Sequence, residues 1–567
     1  MLSNKKSVRD LIELLAQSGV KHVVISPGSR NAPLTYSFAG DRRFKCHSIV
    51  DERAAGFFAL GIAQQLKLPV VILCTSGTAA YNYGPAVAEA FYQRIPLVVI
   101  TADRPDEWIN QGDGQTIMQS NLYGKHVKSS IQIKEDDGEG NTGWHNQRII
   151  SEALDSGAHP VAGPIHINVP LTESLYEEYQ GEKDDTNVRL IRRARTSARL
   201  EKSELTEFNS KLNSCSKILV LVGMGERNPD FKAQLDKFAS NPSVTVLTET
   251  TSNLHSKNFI GCIDRLIMSF NEEDQENFRP DLLITLGAHI ISKKIKALLR
   301  TYKIDEHWHV DRDPQLIDTY QCLSVGIRCA PGSFFKQINA VYEGLPSTYH
   351  QQWLQRDAKH EKIHAEFVEQ VAYSDFQVVG RVLQKVPPGS NLQMGNSSVV
   401  RYIQLYDSKD SILYSGNRGT SGIDGCTSTA SGAATASQTP TTLLTGDIAF
   451  FYDSNALWNE NLPRWLKIVV INNGGGGIFR IIEGPASTPV LEKHFETTHR
   501  LKAKNLAAMY GLNYFHAENI AELDQGLENL YRSDKCGILE VITPRLENDE
   551  VLKDYFKTLI QAKQNEQ

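Results

Sequence analysis

Two short segments in the last quarter of the chain carry residues suited to hold a metal-bound phosphate. Gly446-Asp447-Ile448 closes one apolar run and Asn472-Asn473-Gly474-Gly475-Gly476-Gly477 closes the next, with Asn473 lying 26 positions after Asp447. Mg2+ takes octahedral oxygen ligands, commonly one or two side-chain oxygens with phosphate oxygens. Asp447, Asn473 and a nearby backbone carbonyl supply such a set if two neighbouring strands end side by side. Either segment alone reads equally well as a turn. At this spacing the pair argues for one shared ligand.

A third acidic position, Glu52 in Asp51-Glu52-Arg53-Ala54-Ala55-Gly56, opens the helical run FFALGIAQQL. Acidic residues complement the positive end of a helix dipole, so Glu52 fits a structural role as well as a catalytic one. Arginines recur beside Gly or Pro in loops that follow expected strands: Arg30 in SPGSRNAP, Arg104 in TADRP and Arg418 in GNRGTSGIDG. Guanidinium groups pair bidentately with carboxylates, and parallel sheets place ligands at the carboxyl ends of their strands. The pattern places three cations where such a sheet holds its ligand. The formal net charge of -6 offers no global basic face for nucleic acid.

The elements that must position these residues are short Val- and Ile-rich runs alternating with helix-length segments. They are His22–Ile25, Val70–Cys74, Leu97–Thr101 and Ile165–Asn168, then Lys217–Val222, Val244–Leu247, Leu282–Leu286 and His307–Val310, then Leu443–Thr445, Lys467–Asn472 and Ile538–Ile542. This alternation predicts an α/β protein of three doubly wound parallel-sheet domains, at residues 1–178, 179–344 and 345–567. The charged stretch Glu177–Glu204 reads as a linker. The Ser-, Thr-, Ala- and Gly-rich patch Thr427–Thr442 is either a loop or a helix packed closely on a cofactor. Gly223-Met-Gly-Glu-Arg-Asn228 has the form of a dinucleotide-binding turn without its third glycine, so the middle domain is expected to be a scaffold bordering the site. Eight scattered cysteines without a CxxC pair imply reduced thiols and a cytoplasmic protein without zinc. The amphipathic start is no signal peptide, and no segment approaches the roughly 18 apolar residues of a membrane span.

Gly-Asp followed at this distance by Asn-Asn resembles the diphosphate-binding motif of thiamine-diphosphate enzymes, with Ile448 where many members carry glycine. The resemblance implies thiamine diphosphate with Mg2+ or Mn2+, the metal held by Asp447, Asn473 and the carbonyl of Gly475, with Gly446 and Ile448 beside the diphosphate. It implies that Glu52 accepts a hydrogen bond from the aminopyrimidine, favouring the tautomer that generates the carbon nucleophile. Ile423 then matches the residue that wedges between the cofactor rings. Ile478 and Phe479 line the same cleft or belong to the core.

The segments Ser26–Pro33, Thr75–Ala80, Thr101–Pro105, Asn110–Gln115 and Gly416–Gly425 further resemble those of the 2-succinyl-5-enolpyruvyl-6-hydroxy-3-cyclohexene-1-carboxylate synthases of menaquinone biosynthesis. The similarity spans both terminal domains and is loose in the middle one. It implies decarboxylation of 2-oxoglutarate and conjugate addition of the remaining fragment to isochorismate. It also implies substrate contacts from Ser29, Arg30, Arg104, Gln115, Asn396, Ser397, Arg401 and Arg418. Lys293 stands where the family tends to show a Lys-Arg pair, although KKIKALLR reads equally as a solvated helix face. The family places its cofactor between the first domain of one subunit and the third of another, so a homodimer or homotetramer is expected. The alternatives are another thiamine-diphosphate decarboxylase or carboligase, such as an acetohydroxyacid synthase, or a non-catalytic ligand sensor. A sensor is expected to have lost Glu52 or the metal ligands, and both are present.

Overall fold

The computed structural model describes residues 2–136, 140–181, 188–313, 315–460, 462–482 and 484–564; part of the expected linker therefore lies outside the described residues. Three parallel six-stranded sheets follow one another along the chain. The first contains β1 (His22–Ile25), β2 (Lys45–Ser48), β3 (Val70–Cys74), β4 (Leu97–Asp103), β5 (Ser130–Gln132) and β6 (Ile165–Pro170), in the order β2-β1-β3-β4-β6-β5. The second contains β7 (Ile218–Val222), β8 (Val244–Thr248), β9 (Phe259–Ile260), β10 (Leu282–Leu286), β11 (Glu306–Asp311) and β12 (Val325–Arg328), in the order β12-β11-β10-β7-β8-β9. The third contains β13 (Asn391–Met394), β14 (Leu413–Gly416), β15 (Thr441–Gly446), β16 (Leu466–Asn472), β17 (Asn513–Ala517) and β18 (Gly537–Ile542), in the order β14-β13-β15-β16-β18-β17.

The central strands are continuous apolar runs because helices cover both faces of each sheet: VVILC in β3, ILVLV in β7 and LLITL in β10 are buried at every position. The strands that sequence patterning passes over are mostly polar edges, KCHS in β2, SIQ in β5 and NYFHA in β17. Polar edges discourage pairing with a further chain. Interior β13 (NLQM) was passed over because it buries amides, and its Gln393 donates to Gln64 of the first domain at 3.1 Å.

The first and third sheets share one strand order, and their equivalent helices meet. Helix Glu52–Leu66 follows β2, helix Cys426–Ser437 follows β14, and the two pack face to face. Most of the low-complexity patch is thus a buried helix whose small residues serve helix contact, and its last two residues open β15. A Cβ on Gly61 would overlap the carbonyl of Thr429, and one on Gly432 would overlap that of Phe58.

From its β9 edge the middle sheet runs third, second, first, fourth, fifth, sixth, which is the dinucleotide-binding order. Its switch-point crevice is filled by the chain itself. Met224 donates to the carbonyl of His289, Ala288 donates to that of Met224, and a Cβ on Gly223 would overlap the carbonyl of Ala288. Helix Tyr349–Gln370 bridges onward, with Tyr349 and Trp353 in the middle core and Ile363 and Phe367 against the third. Arg94 of the first domain grips Asp311 of the middle one at 2.7 and 2.9 Å.

Candidate active site

β15 and β16 are adjacent and in register at Gly446 and Ile471, so the two sequence segments do end side by side. Asp447 begins helix Asp447–Tyr452, where it is 3% exposed. Its Oδ1 accepts from the amide of Ile448 at 2.6 Å, and its Oδ2 from those of Gly474 and Gly475 at 2.9 and 3.0 Å. Gly474 has φ +80°, a conformation that glycine adopts without strain and that turns successive amides toward the carboxylate. The Asn473 Nδ2 donates to Asp375 at 2.9 Å, while its Oδ1 is buried with no partner among the described residues. The Gly475 carbonyl accepts from Gly477 at 3.0 Å and keeps a second lone pair.

A carboxylate, an orphaned amide oxygen and a backbone carbonyl form the oxygen set that a hard divalent cation takes, so the residues fit the expected metal. Among the described residues no group of three or more His, Cys, Asp or Glu could hold a metal. His499 Nε2 lies 3.3 Å from Asp447. The buried Glu496 takes Arg480 and Arg545 on its side chain, and its carbonyl accepts from Gly476 at 2.7 Å, which fixes the glycine run. Ile478 is buried behind that run, with Phe479, Ile448 and Ile423 partly exposed.

Donors for anions gather nearby in the same domain. Asn396 donates to the carbonyls of Asn417 and Gly422 and accepts from Arg418 at 2.6 Å. Ser397 has φ +72° just before helix Ser398–Ile403, which carries Arg401. Arg401 lines a small cavity with Glu249, Asp264, Ser292 and Gln404. The Nε atoms of Arg401 and Arg418 are buried without partners, and burial lowers both guanidinium pKa values. Lys293 is exposed at the start of helix Lys293–Thr301, directly after Ser292 of that cavity. The loop bearing Arg418 is pinned by Glu89 of the first domain, whose carboxylate accepts from the amides of Gly419 and Thr420 at 2.7 and 2.6 Å.

In the first domain, Glu52 is the first residue of helix Glu52–Leu66 and is partly buried. Burial raises its pKa against the opposing effect of its own backbone N–H, and Asp51 adds to the rise. Among the described residues no other side chain donates to it. Asp51 caps the helix and accepts from Asn455 at 2.7 Å, and Arg53 donates to the Tyr452 carbonyl at 2.9 Å. Arg30 is buried, donating to the Leu171 carbonyl and to the Glu173 carboxylate, each at 2.9 Å. Arg104 lies 3.3 Å from Asp113. Ser29 is exposed, and Gln115, also exposed, has φ +58° beside Gly77. Gln119, which sequence reasoning passed over, accepts from the amide of Gly77 at 2.8 Å and donates to the Ala102 carbonyl at 3.0 Å, tying two matched segments together. The structure thus gathers two half-sites. Among the described residues no hydrogen bond or ion pair joins Glu52, Arg30 or Arg104 to Asp447, Asn473 or Arg418.

Residues 6–122 match the family model for the N-terminal TPP binding domain of thiamine pyrophosphate enzymes, and residues 195–394 match the model for the thiamine pyrophosphate middle domain. The 2-succinyl-5-enolpyruvyl-6-hydroxy-3-cyclohexene-1-carboxylate synthase of Flavobacterium johnsoniae is 45% identical over 560 residues, covering 97% of this chain and 98% of that protein. The chain belongs to this synthase family. The synthase of Porphyromonas gingivalis is 37% identical over 98% of this chain and 97% of its own length. The crystal structure of benzoylformate decarboxylase from Polynucleobacter necessarius superposes with a TM-score of 0.72 at 16% identity, covering 96% of this chain and 99% of that one, which shows the shared fold. The chain is accordingly a thiamine-diphosphate-dependent transferase of the menaquinone pathway that couples decarboxylation to carbon–carbon bond formation, with a divalent metal beside its cofactor. Among the described residues no helix is long and apolar enough to cross a membrane.

Proposed function

We propose that this synthase decarboxylates 2-oxoglutarate and adds the remaining four-carbon fragment to isochorismate, with the residue roles that follow. The observation that supports the cofactor and metal is the orphaned Asn473 oxygen next in sequence to the glycines that hold the buried Asp447 carboxylate, in a chain that also keeps Glu52 at a helix start; the reaction rests on the likeness to the synthases. Bound thiamine diphosphate supplies a nucleophilic carbon and an electron sink for loss of CO2. Asp447, Asn473 and the Gly475 carbonyl hold Mg2+ or Mn2+ on its diphosphate, flanked by Gly446 and Ile448. Glu52 accepts a hydrogen bond from its aminopyrimidine. Ile423, Ile478 and Phe479 shape the cleft and exclude water. Ser397, Arg401, Asn396 and Arg418 hold carboxylates in the third domain, with Lys293 at its border. Ser29, Arg30, Arg104 and Gln115 receive the second substrate from the first domain.

The family resemblance supports a homodimer or homotetramer pairing the first domain of one protomer with the third of its partner. Domain limits near residues 178 and 344 fall between the three sheets. Eight free cysteines, six of them buried, favour the cytoplasm. The deciding experiment measures CO2 release from 2-oxoglutarate with and without isochorismate. Sustained turnover is expected only with both substrates. Equal turnover without isochorismate would make the chain a simple decarboxylase.

A further inference from the structure

We propose that Asp375 is the positioning residue that sets the orientation of the Asn473 amide and so turns its oxygen toward the metal. The inference rests on the reading of Asp447 and Asn473 as metal ligands. An asparagine side chain ends in two groups of nearly equal size, an acceptor oxygen and a donor NH2, and only the oxygen binds a hard cation. Something must distinguish the two ends. Asp375 Oδ2 accepts from Asn473 Nδ2 at 2.9 Å, and the amide oxygen is left buried without a partner. Flipping the amide would set its oxygen against a carboxylate oxygen in a site closed to water, while presenting NH2 to the cation. Asp375 disfavours that state because both its oxygens are placed as acceptors, Oδ1 for the Thr543 hydroxyl and Oδ2 for the amide.

Asp375 is itself held. It is the first residue of helix Asp375–Lys385, capped by Ser374, and it is 3% exposed. Its Oδ1 accepts from the Thr543 hydroxyl at 2.6 Å, and its amide donates to the Asn548 side chain at 2.8 Å. Thr543 follows β18, and its amide donates to the Asn472 carbonyl at 3.2 Å, so the support returns to the residue preceding the ligand. The fixed loop runs from the end of β16 through Thr543 and Asp375 to the Asn473 amide.

The test uses full-length protein stripped of metal, saturating thiamine diphosphate, and Mn2+ as the probe, with free Mn2+ read by electron paramagnetic resonance. Partners that orient metal ligands typically control ten- to a hundredfold in affinity, so Asp375→Asn is expected to weaken Mn2+ binding by about that factor. Thr543→Val, which frees one carboxylate oxygen, is expected to weaken it severalfold. Combining Asp375→Asn with Asn473→Asp restores a donor–acceptor pair with an oxygen toward the metal, and is expected to recover part of the affinity. A purely structural role for Asp375 predicts no such recovery. Unchanged Mn2+ affinity in folded Asp375→Asn overturns the inference, as does unchanged affinity in Thr543→Val should Asp375→Asn not fold. Asp447→Ala separates the two levels of the argument. If it binds Mn2+ like the parent, the metal site itself is misplaced; if it loses binding while Asp375→Asn does not, only the orienting role fails.

Discussion

Glu52 starts its helix with a carboxylate that burial pushes toward the protonated form and that no neighbouring side chain relieves. In the proposed function its partner is the aminopyrimidine of the cofactor. Glu52→Gln is therefore expected to bind thiamine diphosphate while slowing exchange of the thiazolium C2 proton by roughly 10^2 to 10^4, the usual scale of acid–base effects. Exchange at the parent rate, followed by NMR after acid quench, would remove Glu52 from that role. Arg30 presents the reverse situation, since its guanidinium already touches Glu173. Glu173 is exposed, so a substrate carboxylate can replace it at low cost. Losing one charge-assisted contact costs about 1.5 to 3 kcal/mol, so Arg30→Ala is expected to lower kcat/KM for isochorismate roughly ten- to a hundredfold. Single-turnover decarboxylation of 2-oxoglutarate should stay near the parent rate; equal slowing of both steps would move Arg30 to the first substrate. The placement of Glu52, Asp447 and Asn473 was legible because each occupies a motif anchored to a strand end or helix start. Asp375, Glu89 and Gln119 were not, because each is a single polar letter whose partner lies 98, 330 or 42 residues away.

Apolar strands with both faces covered announce themselves, and β1, β3 and β10 coincide with the expected runs residue for residue. Edge strands and β13 do not, because their burial depends on tertiary neighbours rather than on composition. The helix Cys426–Ser437 is the instructive case. Its small residues read as low complexity because the information they carry is steric: they leave space for the backbone of helix Glu52–Leu66. Gly432→Ala places a methyl group against the Phe58 carbonyl, and an overpacked contact of this kind costs about 1 to 3 kcal/mol or more. The expected reading is a lower urea midpoint with the transition slope kept. A stability equal to the parent's would show that the crossing has slack.

At the scale of the whole molecule, the Arg94–Asp311 contact makes the joint between first and middle domains sensitive to acid. Burial, the largest single influence, would raise the Asp311 pKa, but hydrogen bonding and charge from His309 and Arg94 outweigh it and hold the group at about 2. An unfolded aspartate titrates near about 3.9. The depressed folded value means that the contribution is fully present above about pH 4 and is lost as pH falls through about 2. It amounts to about 2 kcal/mol. Arg94→Ala is expected to lower Tm near neutrality and to shrink the fall in Tm between pH 5 and 3; parallel curves for the two proteins would show that the pair is not linked to folding. The interlocked glycines of the helix crossing carry a further mechanical consequence. Helices whose backbones nearly touch resist sliding past one another, so the first and third domains are expected to move as a single lever rather than as two plates. The mostly exposed segment from Pro105 to Ser120 hangs as a ribbon from the first domain at the buried Gln119. Hydrogen exchange should be slowest in the two crossing helices and fast along that ribbon, and comparable rates in both would mean that the domains open at their seam instead.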